Sequence, residues 1–180
     1  LWLQLYIGEQ QARGARLRDM PEEWFALPDE SEWGNCLLVT LAVFRANRLL
    51  DAHDIDGAAA LIDRLFAAET GMAGIHRILL TCDRMFCALL RDDTETVERL
   101  YTKAQRRLMK QMRLNPSVLR TEYALDLLHG GSSEQAEKCL ALFEAHASKH
   151  PYPCEIESER ELIALAAEKY AGRKSEAPAE

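Results

Sequence analysis

From about residue 33 onward, apolar stripes at helical spacing alternate with short polar breaks. Apolar residues recur three and four positions apart, which places them on one face of a helix. The breaks contain residues that cap or end helices, and they read DIDG (54–57), RDDT (91–94), NPS (115–117), GGSS (130–133) and PYP (151–153). The pattern predicts seven helices over about 33–53, 57–69, 74–91, 95–112, 117–129, 133–148 and 155–171.

The first six predicted helices form three pairs that repeat every 39 residues. In the first helix of each pair the matching apolar columns are Leu41/Leu80/Leu119, Ala46/Met85/Ala124 and Leu50/Leu89/Leu128. In the second helix they are Ala58/Val97/Ala136, Leu61/Leu100/Cys139, Ile62/Tyr101/Leu140 and Leu65/Ala104/Phe143. A helix pair repeated at this period is typical of an α-solenoid, in which each pair buries its face against the next.

The sequence therefore predicts an all-α fold: a tetratricopeptide-like α-solenoid of three helix pairs in right-handed stacking, with a C-terminal capping helix and an extended N-terminal segment. The period exceeds the 34 residues of a standard tetratricopeptide repeat, and the WxxLGxxY signature is missing. We therefore call the repeat tetratricopeptide-like. A non-repetitive helical bundle with columns aligned by chance is the alternative.

The predicted domain organisation is an N-terminal linker or clip over residues 1–32, a helical-repeat domain over 33–172 and a disordered tail over 173–180. Within the first segment, Pro21 and Pro28 prevent a continuous helix around Trp24 and Phe25. We expect Trp24, Phe25 and Leu27 to cover the open side of the first helix pair, since a solenoid end needs a cover. Presentation of these aromatic residues to a partner is the alternative.

Composition limits the classes of partner. The chain carries 29 acidic against 22 basic residues, a net charge of -7, which argues against nucleic acid as the main partner. The one basic cluster is interpreted as a solvated helix face, and it consists of Lys103, Arg106, Arg107, Lys110 and Arg113. The five cysteines include no CxxC spacing, so buried free thiols are expected. No apolar stretch reaches the roughly 20 residues of a membrane span.

The sequence shows no catalytic motif: HExxH, GxSxG, P-loop and GxGxxG patterns are all missing. His146 and His150 have the i, i+4 spacing of a metal clamp, but interaction with a helix C-terminus explains them more simply. DAHDIDG (51–57) resembles a calcium loop without a ligand at its first position, and it is better explained as a turn. We therefore expect no catalytic residue, no metal and no cofactor.

Polar residues on the first helices of the pairs are candidates for a partner-binding groove, and they are Arg45, Asn47, Arg48, Arg120, Glu122 and Tyr123. A plain wet face explains them equally well. The alternative from another class is a free-standing small helical enzyme that uses all of these residues except Asn47. A deep pocket that unites an Arg, a Glu and a Tyr would favour the enzyme, and a broad shallow groove would favour the interaction domain.

Four strings carry a family resemblance: GARLRDMPEEWFALPD, LAVFRANRLLDAHDIDGAAALIDRL, PSVLRTEYALDLL and PYPCEIESERELIALA. Together they resemble the soluble C-terminal part of bacterial membrane-embedded zinc metallopeptidases of the site-2 protease type. The resemblance implies a cytoplasmic domain attached to a membrane protease core, with LWLQLYIG as the end of an upstream membrane helix or its linker. The family's HExxH and distal aspartate have no counterpart here, so no catalytic residue is carried over.

These observations predict a non-catalytic protein-interaction domain, the cytosolic regulatory or partner-binding part of a membrane metallopeptidase. The expected partner is a protein or peptide, including a protease core in the same chain. Self-association through the last helix as a homodimer is a further hypothesis, which sedimentation would test.

Overall fold

A computed structural model describes residues 2–28, 36–68, 74–128 and 133–174. The ordered elements within these ranges are all helical, which confirms the all-α fold class. They are α1 (Trp2–Ala12), α2 (Cys36–Asp51), α3 (Ile55–Ala67), α4 (Gly74–Leu90), α5 (Thr94–Leu100), α6 (Lys103–Gln111), α7 (Pro116–Leu128), α8 (Ser133–Ala147) and α9 (Pro153–Lys174), with short 3-10 turns at Leu17–Asp19 and Glu22–Phe25. The predicted tail lies outside the described residues from position 175 onward.

Two of the predicted breaks have the same geometry, 39 residues apart. His53 and Asp92 both adopt the left-handed conformation, with φ of 59° and 60°. The next residues, Asp54 and Asp93, are N-caps with the same φ of -81°. Each caps its helix by accepting a hydrogen bond from the backbone N–H three residues on, at 2.9 and 3.0 Å. The break around residues 130–133 lies almost entirely outside the described residues.

The core is built from both consecutive and non-consecutive helices, with α4 and α7 at its centre. α2 packs on α3, α3 on α4, α4 on α7, and α7 on both α8 and α9. Two predicted columns are buried in all their members, and they are Ala46/Met85/Ala124 and Ala58/Val97/Ala136. These small and medium residues let neighbouring helices approach closely, because a short side chain occupies little of the space between two helix axes.

The prediction of a single helix over 95–112 is wrong, because the helix is interrupted at Tyr101 and Thr102, between α5 and α6. Thr102 is the N-cap of α6, and its hydroxyl oxygen accepts a hydrogen bond of 3.1 Å from the backbone N–H of Gln105. The side-chain amide of Gln105 donates to the carbonyl of Ile78 and to the sulfur of Cys82, which ties α6 to α4. The break leaves Ala104, a member of a predicted apolar column, exposed.

The prediction of an extended N-terminal segment is wrong for its first part, which forms α1. Ile7 is fully buried and Gln11 is 7 % exposed, so positions four apart form the packed face of this helix. Gly14, with φ of 92°, ends it. In the following stretch, the residues that flank the two 3-10 turns are extended, and they include Arg16, Met20 and Ala26. Within the described ranges, no helix combines enough length with enough apolar character for a membrane crossing.

Candidate functional site

Two of the predicted groove residues hold the chain's own N-terminal segment. Arg45 donates a hydrogen bond from Nη1 to the carbonyl of Phe25 at 3.3 Å. Arg48 donates from Nη2 to the carbonyl of Met20 at 3.5 Å, and its guanidinium lies 5.4 Å from the centre of the Phe25 ring. On this part of α2, the surface predicted for a partner is therefore occupied by the same chain.

The predicted clip residues differ in their burial. Phe25 is 1 % exposed and packs with Ile7, Leu17 and Met20 in a small apolar cluster. Trp24 is half-buried at the edge of this cluster, and its ring meets that of Tyr6 edge-on with centroids 5.0 Å apart. Leu27, also half-buried, packs separately against the α2–α3 core.

Arg120, another predicted groove residue, lies in a buried ion cluster. Its Nη1 donates to both carboxylate oxygens of Glu159 on α9, at 3.0 and 2.8 Å, and its Nη2 donates to Asp83 on α4 at 2.6 Å. All three residues are less than a tenth exposed. Burial raises the pKa of Asp83 and raises the pKa of Glu159 to about 7, since desolvation outweighs the attraction of the single arginine.

The remaining predicted residues lie apart from one another. Glu122 is half-buried and pairs with Arg113 at 3.0 Å, away from Arg120. Tyr123 is 7 % exposed and packs in the apolar cluster between α7, α8 and α9. Asn47 lines a cavity, as does Arg120. The six predicted residues therefore do not form one site.

The cavity has a volume of about 600 Å³ and lies where α1 crosses α2 and α9. Its apolar lining comes from all three helices and the turn after α1, and consists of Leu5, Ala12, Leu17, Phe44, Leu50 and Leu162. Its polar lining consists of Gln4, Glu9, Gln11, Arg16, Asn47, Asp51, Arg120, Tyr152, Cys154, Glu155, Ser158 and Glu159. A concave space of this size with a mixed lining is typical of a ligand site.

One wall of the cavity is fixed by ion pairs that join the N-terminal segment to α2 and α9. Arg16 contacts Asp51 and Glu161, each at 2.6 Å. Ser158 donates a hydrogen bond of 2.5 Å to the same oxygen of Asp51. Arg18 adds a second cation at 2.9 Å from Glu161. Hydrogen bonds from these arginines lower the pKa of Glu161 to about 2.

Another part of the wall presents polar side chains that make no hydrogen bond or ion pair with the described residues. The side chains of Gln11, Asn47 and Glu155 make no hydrogen bond or ion pair among the described residues. Gln11 is nine-tenths buried, so its amide faces the cavity instead of bulk water. Burial raises the pKa of Glu155, and His150 offsets this effect only in part. Gln11 is the buried member of the three, and buried polar groups are normally satisfied, whereas Asn47 and Glu155 are half-buried at the cavity wall.

The cysteines are structural. Cys82, Cys87, Cys139 and Cys154 are buried and unpaired, which confirms the predicted free thiols where the structure describes the side chain. Burial raises the pKa of Cys154, and its S–H donates to the carbonyl of Gln11 at 3.3 Å. A buried thiol with a raised pKa is a poor nucleophile because the thiolate is the reactive form.

Of the polar residues in the cavity wall, only Asn47 and Arg120 are among those predicted from the sequence. One signal was present: Arg120 pairs with Glu159, 39 residues later, and Thr121 donates to the carbonyl of Cys82, 39 residues earlier. In these two cases, residues 39 positions apart therefore contact each other between packed helices. Gln11, Arg16 and Asp51 carry no comparable signal.

Comparison with known protein families, with curated proteins and with solved structures gave no match. The described residues contain no cluster of three or more His, Cys, Asp or Glu side chains placed to hold a metal ion.

Proposed function

We propose that this chain is a non-catalytic protein-interaction domain built from tetratricopeptide-like helix pairs, and that the cavity under α1 receives part of a protein or peptide partner. The observation that carries the proposal is the set of unpartnered polar side chains on the cavity wall, Gln11, Asn47 and Glu155. A partner that hydrogen-bonds to the buried amide of Gln11 would recover the free energy that its burial costs.

The cavity unites an arginine, a glutamate and a tyrosine, as the enzyme alternative requires, but with other residues: Arg120, Glu159 and Tyr152. The arrangement favours binding over catalysis. Arg120 is already shared between two carboxylates, and the thiol of Cys154 is buried with a raised pKa. No histidine is among the described residues that line the cavity, so Ser158 has no histidine base beside it there.

Support for helix-pair stacking comes from the two equivalent turns and the buried columns. The helix that follows each turn starts from an aspartate cap at the same repeat position, Asp54 or Asp93. The N-terminal segment covers part of α2 through Arg45 and Arg48, so the face left for a partner is the cavity beside it. In such a solenoid, the N-terminal segment would cover one end, and the inner surface beside it would stay open to a partner.

The association with a membrane metallopeptidase, the cytoplasmic location and the homodimer stay predictions that rest on the sequence. The family association is tested by the genomic sequence that precedes Leu1, where several membrane spans with an HExxH motif are expected.

Selection of a random peptide library against the whole chain tests the proposed function, with a variant that fills the cavity. Gly8 lines the cavity, and a Cβ placed there meets no atom within 4 Å. Gly8→Trp should therefore block the cavity without distorting α1. Gly74 has the same freedom at the start of α4, outside the cavity lining, so Gly74→Trp is the matched control.

We expect selected peptides to bind the unmodified chain and the Gly74→Trp variant with equal affinity, and to lose at least tenfold in affinity with Gly8→Trp. NMR shift changes should concentrate on α1, α2 and α9. An empty selection, or peptides that bind both variants equally, would contradict the proposal, as would hydrolysis of the peptides by the chain.

A further inference from the structure

We infer that the cavity under α1 recognises an alkylammonium group, the side chain of a lysine in the bound partner. This inference rests on the proposed function and names the chemistry of the partner. Its basis is an excess of carboxylate in the cavity wall, combined with a buried amide that has no partner.

The excess of negative charge follows from the ion pairs. Arg16 and Arg18 together balance Asp51 and Glu161, whereas Arg120 alone is shared between Asp83 and Glu159. The surplus therefore lies at the Arg120 cluster and at Glu155, which pairs with neither Arg16 nor Arg120. A cation in the cavity would therefore face a surplus of negative charge, whereas an anionic ligand would be repelled.

Glu155 forms no ion pair with an arginine or lysine among the described residues, although His150 attracts it electrostatically. It projects from the first turn of α9 and makes no ion pair among the described residues. The other acidic residue at the cavity edge, Glu9, is exposed and is paired with Arg13 at 2.5 Å on the outer surface of α1. Glu155 is therefore the group that an incoming cation would meet unpaired.

The two free amides supply the remaining acceptors. An ammonium group has three N–H donors and needs three acceptors once it leaves water. Gln11 is only 7 % exposed with no hydrogen bond to its side chain among the described residues, and Asn47 on α2 is equally unpartnered. Each amide can present its carbonyl oxygen, which with the carboxylate of Glu155 makes three acceptors.

The apolar lining suits the stem of a lysine. Leu17, Leu50 and Leu162 are all less than a tenth exposed and line the same cavity as the polar groups. A lysine places four methylene groups along such a surface while its charged end reaches polar atoms. The volume of about 600 Å³ accommodates a side chain and the adjoining peptide backbone.

NMR titration of the whole chain with three probes at pH 7.5 tests the inference. The probes are the tripeptide acetyl-Ala-Lys-Ala-amide, the same peptide with Nε-acetyllysine, and n-butylamine. The variant is Glu155→Gln, which removes the charge and keeps the shape. Glu157→Gln is the matched control, because Glu157 is exposed on the same helix and outside the cavity lining.

We expect the lysine tripeptide to shift the resonances of Gln11, Asn47 and Glu155. Its affinity should fall at least tenfold with Nε-acetyllysine and with Glu155→Gln, and stay unchanged with Glu157→Gln. Binding of butylamine at the same residues would further support recognition of the ammonium group. Equal binding of the acetylated peptide, an unaffected Glu155→Gln variant, or binding of butylamine without the tripeptide would overturn the inference.

The two proposals fail in different ways. Library peptides that are blocked by Gly8→Trp but contain no lysine, and that are insensitive to Glu155→Gln, would leave the proposed function intact and overturn the lysine inference. A selection that yields no peptide would contradict the proposed function itself, whether or not butylamine binds.

Discussion

At the scale of single residues, the cluster of Asp83, Arg120 and Glu159 is the most consequential polar feature of the core. One guanidinium serves two carboxylates and also lies 4.3 Å from the centre of the Phe86 ring. The Nε atom of Arg120 has no hydrogen-bond partner among the described residues, so the arginine is not fully satisfied even here. A buried cluster of this kind adds little net stability when intact, but its disruption is costly.

Replacing Arg120 by methionine is expected to lower the free energy of unfolding by about 3 kcal/mol, because two buried carboxylates lose the one cation that pairs with them among the described residues. Urea denaturation followed by circular dichroism measures the change. Arg160→Met is the control: Arg160 pairs with Glu144 at the exposed surface, where a pair contributes less than about 1 kcal/mol. Equal losses in the two variants would show that Arg120 is not buried as described.

Glu159 and Glu161 lie two residues apart and are expected to affect stability in opposite directions as pH changes. The pKa of Glu159 rises from 4.5 to about 7 on folding, so its contribution is fully present below pH 4.5 and is lost as pH rises towards 7. The pKa of Glu161 falls from 4.5 to about 2, so its contribution is present above pH 4.5 and is lost as pH falls towards 2.

The free energy of unfolding, measured with urea at intervals from pH 3 to 8, tests both signs. Glu159→Gln should flatten the decline between pH 4.5 and 7, whereas Glu161→Gln should flatten the loss below pH 4.5. The comparison concerns the slope with pH, so a constant loss caused by either substitution does not affect it. If the Glu159→Gln variant keeps the same dependence of unfolding free energy on pH as the unmodified chain, a group other than Glu159 titrates between pH 4.5 and 7.

At the scale of elements, one substitution distinguishes a continuous helix over residues 95–112 from the two helices α5 and α6. Thr102→Ala should stabilise the first arrangement and destabilise the second. In a continuous helix, Thr102→Ala would stabilise by about 0.5 kcal/mol because alanine has the higher helix propensity. As the N-cap of α6, Thr102 accepts from the N–H of Gln105, and its loss should destabilise by about 1 kcal/mol. Thermal or urea unfolding measures the sign, with the exposed Thr94→Ala as the control.

Elements were predictable from the sequence where the contacts that form them join residues close together in the chain. The turns at Asp54 and Asp93 were predictable because a cap is a contact between residues three apart. Helix α1 was missed because its apolar residues form no single stripe. Ile7 is buried, whereas Trp2 and Leu5 are 87 % and 61 % exposed. The break at Thr102 carried a signal, Thr-x-x-Gln, of the kind that starts a helix, inside an otherwise continuous apolar pattern.

At the scale of the whole molecule, the cavity was beyond prediction because its wall joins distant parts of the chain. Arg16 contacts Glu161 across 145 residues of sequence, and Ser158 contacts Asp51 across 107. No periodicity relates such positions, and many other pairs of opposite charge would have been equally plausible. Arg120 could be singled out only as a polar residue on a first-of-pair helix, and its burial depends on α9, which lies outside the three pairs.

The N-terminal segment also matters at the scale of the whole molecule, because it covers part of α2. Phe25 is 1 % exposed and sits under the guanidinium of Arg48, whereas Trp24 is half-buried against Tyr6. Phe25→Ala should therefore cost about 3 kcal/mol of unfolding free energy, in the range for a buried phenylalanine. Trp24→Ala should cost distinctly less, since part of its ring already faces water.

Urea denaturation of both variants measures the difference, and hydrogen exchange of α1 shows whether the segment has detached. Loss of protection in α1 with Phe25→Ala, while α4 and α7 stay protected, would show that the segment is a separable cover over the cavity. Equal and small losses in both variants would instead mark the two aromatic residues as a surface offered to a partner. In that case the charged anchors Arg16 and Arg18, with their contacts to Asp51 and Glu161, would have to hold α1 in place by themselves.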